Sequence, residues 1–135
     1  NMRHTELVRQ VMKMLLDGDD EIFSLLKKQY ETAEIVSEEQ KEVGFYVNYH
    51  VENFAINPER FNNTFQIGDV DGIVNNVNGA VGFILYVKDG FLTMLEGYTN
   101  IIDEWPEKDC EITPVYDSGK SRDYSSLRKK WTKAN

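Results

Sequence analysis

Two periods divide this chain. From Thr5 to about Tyr30 apolar residues recur at helical spacing, and from Thr32 onward they alternate with polar ones. Leu7, Val11, Met14 and Leu15 stand at i, i+4, i+7 and i+8, and Val8, Met12 and Leu16 widen the stripe, which predicts an amphipathic helix over about 5–17. Thr5 is placed to cap it, and Gly18 to end it in the left-handed conformation. Asp19-Asp20-Glu21 brings a cap and negative charge to the positive end of a second helix over about 19–30, with the stripe Ile22, Leu25, Leu26 and Tyr30.

Beyond Tyr30 the pattern predicts strands. Thr32 to Val36 is a short one, followed by Ser37 to Lys41 as a polar loop. Gly44 to Glu52 alternates cleanly, with Phe45, Val47, Tyr49 and Val51 on one face and Tyr46, Asn48, His50 and Glu52 on the other. Residues 53–63 read as a loop tucked down by Phe54, Ile56 and Phe61. Phe65 to Val74 is a third strand, and Asn78-Gly79 a turn signal. Glu111 to Asp117 is the last strand, placed at a sheet edge by Pro114. A short helix over Arg122–Trp131 carries Tyr124, Leu127 and Trp131 at i, i+3 and i+7.

Residues 79–99 form the predicted centre, a hairpin about Lys88-Asp89-Gly90 with apolar residues on both faces. A three-residue loop would pair Val87 with Phe91, and a two-residue Asp89-Gly90 turn would pair Lys88 with Phe91. The choice decides whether Glu96 shares a face with Gly82 or with Phe83. The expected fold is a single α+β domain over 1–135. Two N-terminal helices pack on one face of a mostly antiparallel sheet of five or six strands. The second apolar face then needs a cover: the 53–63 loop, the C-terminal segment or a second subunit.

Composition narrows the function classes. The 135 residues are 41% hydrophobic and 12% aromatic, values of a globular chain. The apolar runs fall short of a membrane span, and the first residues lack the basic-then-apolar pattern of a secretory leader, so a cytoplasmic location is expected. The lone Cys110, beside Asp109 and Glu111, reads as a solvated, inert thiol. A net charge of −8 argues against nucleic acid and suits a basic protein partner. Residues 120–135 run against that balance as a basic tail, with Lys120, Arg122, Arg128, Lys129, Lys130 and Lys133.

Four groups are candidates for chemistry: His50, Asp69, Asp71 and Glu96. Asp69 and Asp71 lie two apart on a strand and point the same way, so they could hold a cation or share a proton, with His50 completing the site. The plainer reading makes them strand-end or solvated residues. Glu96 stands between Met94, Leu95, Gly97 and Tyr98, where a carboxylate is costly unless bonded. It is either a general acid–base or, by preference, a structural tie to Tyr98 or to the Trp105 loop. The sequence has no nucleophile elbow, phosphate-binding glycine loop or zinc spacing, so no cofactor and no metal is expected.

The segments Leu25-Leu26-Lys27-Lys28-Gln29-Tyr30, Val43-Gly44-Phe45-Tyr46-Val47-Asn48-Tyr49, Ile67-Gly68-Asp69-Val70 and 79–98 with Trp105-Pro106 together resemble a family of small, stand-alone bacterial proteins of uncharacterised activity. The resemblance implies a bacterial cytosolic protein and brings no activity, cofactor or catalytic residue. The expected function is a non-enzymatic protein-binding domain, with a toxin-neutralising immunity protein as its specific form. The alternatives are a small-ligand binder or hydrolase-like enzyme around Glu96, and a homodimer closed through the second sheet face.

Overall fold

The computed structural model describes residues 4–100, 102–107 and 110–134. Helices α1 (Thr5–Leu15) and α2 (Glu21–Thr32) come first. Strands β1 (Glu34–Lys41), β2 (Gly44–His50), β3 (Phe65–Val74), β4 (Ala80–Lys88), β5 (Phe91–Asn100) and β6 (Ile112–Tyr116) follow, and helix α3 (Tyr124–Trp131) comes last. The strands form one antiparallel sheet in the order β1-β2-β5-β4-β3-β6, with the 79–99 hairpin at its centre. The α+β architecture is the expected one: helices cover one face of the sheet.

The helix layer differs from expectation in detail. His4, not Thr5, precedes the first turn of α1, because the Val8 N–H donates to the His4 carbonyl at 2.8 Å. The helix ends at Leu15, and Gly18 serves a different purpose: a Cβ there would overlap the Phe23 ring. Phe23 is fully buried, so the stripe of α2 is turned toward Ile22, Phe23, Leu26 and Gln29. Gln29 tolerates burial because its amide is satisfied. Nε2 donates to the carbonyls of Phe54 and Gly90, both at 2.8 Å, and Oε1 accepts from the Leu92 N–H at 2.8 Å.

Ser37 to Lys41 is strand rather than loop. It pairs residue by residue with β2 through a turn at Glu42-Val43, with a bulge between Ile35 and Ser37. All eight residues of β1 are exposed, so no apolar alternation marks it. In the 53–63 loop Ile56 is buried and Phe61 half-buried, whereas Phe54 is exposed, with φ +68°.

The central hairpin combines features of both expected geometries. Its turn is the two-residue form: Lys88 pairs with Phe91, and Asp89 and Gly90 both take positive φ (51° and 89°). A bulge then shifts the register, so that Tyr86 pairs with Met94, Ile84 with Glu96 and Gly82 with Tyr98. Glu96 therefore shares a face with Gly82, the outcome tied above to the three-residue loop.

The basic C-terminal segment carries the expected short helix, α3, over Tyr124–Trp131. The Asp123 carboxylate accepts from the Ser126 N–H and caps α3. Trp131 then packs edge-on to Phe23 (centroids 5.2 Å apart) and tilted on Phe65 (5.4 Å), making α3 a third member of the helix layer. β6 lies at the sheet edge with Pro114 inside it, as expected.

Candidate functional site

Strand pairing places Tyr46 and Asn48 of β2, Met94, Glu96 and Tyr98 of β5, Ile84 and Tyr86 of β4, and Gln66 and Asp71 of β3 on the face opposite the helices. The three tyrosines, Ile84 and Met94 are all half-exposed. The 53–63 loop docks instead at the hairpin turn, where the Ile56 N–H donates to the Gly90 carbonyl at 3.0 Å. This face is flanked by α3, with Asp123, Ser126, Leu127 and Lys130 lining its depressions. Two adjoining depressions run along it and meet at Gln66 and Lys130. One, of about 420 Å³, is walled by Ile84, Tyr98, Asp117 and Asp123. The other, of about 720 Å³, is walled by Asn48, Tyr86, Met94 and Lys88.

Glu96 is half-exposed on this face. Its Oε1 accepts a 2.6 Å hydrogen bond from the Tyr86 hydroxyl, two residues along from its direct cross-strand neighbour Ile84. That bond, before burial, pushes the Tyr86 phenol up to about 12. Among the described residues Glu96 makes neither of the expected ties, to Tyr98 or to the Trp105 loop. Trp105 packs on Phe45 and Phe83 within the helix-side core, across the sheet from Glu96.

Negative charge gathers around Tyr98. Burial first, then Asp71 and Glu96, pushes its phenol up. Asp71 is itself raised by burial and by the charges of Asp117 and Asp69, and Asp117 by burial and by Asp69.

The four expected site residues are brought together only in part: Asp71 and Glu96 both face Tyr98 and Asp69 lies near Asp71, but His50 stands apart. His50 is exposed at the end of β2 and pairs with Glu52 at 3.2 Å. A bulge in β3 between Ile67 and Val70 takes Asp69 out of strict alternation and leaves it at the margin of the smaller depression. There it forms a two-point ion pair with Arg122, at 2.8 Å to Nε and 3.0 Å to Nη2. Arg122 also donates to the carbonyls of Asp17 (2.6 Å) and Leu15 (2.9 Å) at the C-terminus of α1, and its guanidinium lies 5.1–5.2 Å from the centres of the Phe23 and Tyr116 rings. Its side chain is 1% exposed. This residue is the one sequence reading missed, since it stands in a basic run with nothing to separate it from Lys120 or Arg128. Cys110 is half-buried against the core rather than solvated, and its neighbours Lys108 and Asp109 lie outside the described residues. Among the described residues no three metal-ligating side chains gather.

Comparison with protein-family models, with curated proteins and with solved structures finds no match to this chain. No helix among the described residues is long and apolar enough to cross a membrane.

Proposed function

We propose that this is a non-enzymatic protein-binding domain and that the open sheet face receives a basic protein. The observation that carries the reading is the face itself. It presents three half-exposed tyrosines with Ile84 and Met94, and sets carboxylates of Asp71, Glu96 and Asp117 around Tyr98. Tyrosine and methionine are enriched at interface centres, and the carboxylates gathered around Tyr98 steer a cationic partner to that end of the face, away from Lys88. The chain's net charge of −8 adds to that field. An immunity protein that neutralises a basic toxin is the specific form, by analogy of size and charge. An enzyme centred on Glu96 is less well supported, because Arg122 takes up Asp69 and Glu52 takes up His50.

The test is whether a basic protein is encoded immediately upstream of this gene and, if so, whether it binds when titrated calorimetrically; the lack of such a gene overturns the immunity form. Binding that weakens with salt and is lost in Ile84→Arg, a half-exposed position on the face, supports the reading. Absence of binding, or binding indifferent to Ile84→Arg, overturns it.

A further inference from the structure

The sheet has two unequal edges. β6 is short and carries Pro114, which removes a backbone donor from that rim. β1 is eight residues long, without proline or glycine, and no described residue pairs with its outer edge. Its unpaired N–H and C=O groups form a template for another strand. Ile35 and Val36 remain 47% and 60% exposed on it.

The charges on β1 select what can pair there. Glu34, Glu38 and Glu39 stand against the single Lys41. A second copy is a poor occupant. Pairing with β2 puts Glu34, Ser37, Glu39 and Lys41 on the open side and Ile35, Glu38 and Gln40 on the helix side. A two-fold axis normal to the sheet must match residues of the same side. With Val36 bulged out in both copies, the register that sets Glu34 against Lys41 of the other copy sets Glu38 against its own equivalent. Like charges directly opposite are destabilising. A basic strand meets no such conflict: cations opposite Glu34 and Glu39 would lie on the open side, one opposite Glu38 on the helix side, and an apolar residue would cover Ile35.

We propose that β1 is a docking edge for an extended basic segment, which joins the sheet as a seventh, outermost strand. The inference takes from the preceding reading only that the partner is basic. It adds the mode of recognition: backbone pairing supplies affinity, and the glutamates reject self-association while admitting a cationic strand. Such a strand would continue the open face beyond Glu39, the cross-strand neighbour of Tyr46.

The probe is a capped synthetic heptapeptide of alternating lysine and valine, titrated into isotopically labelled protein at low salt and followed by amide chemical shifts. Its glutamate counterpart and a copy N-methylated along the backbone are the controls. The proposal expects shifts and new exchange protection concentrated in residues 34–41 with the basic peptide alone. In Glu34→Lys/Glu39→Lys, where both side chains are exposed and face the open side with the lysines of the peptide, affinity should fall on the order of tenfold as two attractive cross-strand pairs become repulsive. Ile84→Arg should leave the β1 shifts in place. Equal binding by the N-methylated peptide, or shifts that spare β1, overturns the proposal. A peptide that pairs with β1 while the upstream protein fails to bind removes only the functional reading. Binding of that protein sensitive to Ile84→Arg, with β1 silent to the peptide, removes only this inference.

Discussion

Replacing Arg122 by methionine tests how the layers are joined. The guanidinium is 1% exposed and its partner Asp69 15% exposed. Methionine keeps much of the apolar stem packed near Phe23 and Tyr116 but deletes four donated hydrogen bonds: two to the Asp69 carboxylate and one each to the Leu15 and Asp17 carbonyls. Removing one member of a buried ion pair costs about 3–5 kcal/mol, because the other charge is left uncompensated. Residual water access to Asp69 sets the expectation for R122M near the lower end, about 3 kcal/mol. Against a urea dependence of about 1.5–2 kcal/mol per molar, the midpoint should fall by about 1.5–2 M. Arg128→Ala is the control. Its 2.8 Å pair with Asp20 is half-exposed on the arginine side, and such pairs are worth about 0.2–1 kcal/mol. The double variant D69L/R122M should recover part of the loss, since no unpaired charge remains. Equal midpoints for R122M and R128A would refute the claim that Arg122 clamps β3 to the end of α1.

Two further outcomes follow from satisfied polar groups. Gln29→Leu should cost about 1–3 kcal/mol by leaving the Leu92 N–H and the Phe54 carbonyl without the amide, and hydrogen exchange at Leu92 should accelerate. Tyr86 titrates at about 12 in the folded chain, above the ordinary phenol value of 10.0, so native protein holds the proton more tightly than unfolded chain. The stability linked to that bond is intact below pH about 10 and drains away as pH rises to about 12. Phenolate absorbance should show the Tyr86 titration moving down in Glu96→Gln. An unchanged curve would sever the link between the two side chains.

Much of the fold was legible in periodicity. The alternation of Phe45, Val47 and Tyr49 gave the correct buried face of β2, and Pro114 marked an edge. What periodicity could not supply was anything decided by partners distant in sequence. β1 has no apolar alternation because an edge strand can be exposed throughout, so its pairing with β2 was invisible in Ser37 to Lys41. The bulge beyond Leu92 reverses the facing that a two-residue turn implies, and no residue there announces it. Arg122 reads as one more surface cation until α1, β3 and α3 are seen to converge on it. The same limit governed the candidate site. Asp69 and Asp71 were placed together by strand geometry, but the bulge in β3 and the pull of Arg122 part their roles.

The exposed tyrosine face is the feature on which the functional account turns, and hydroxyl-radical footprinting reads it directly. In the free protein Tyr46, Tyr86 and Tyr98 should be modified readily, while Tyr49, 7% exposed on the helix side, should resist. With a basic partner protein bound, the three should become protected together. Their continued modification in the complex, alongside new protection of the outer surfaces of α1 and α2, would contradict the account.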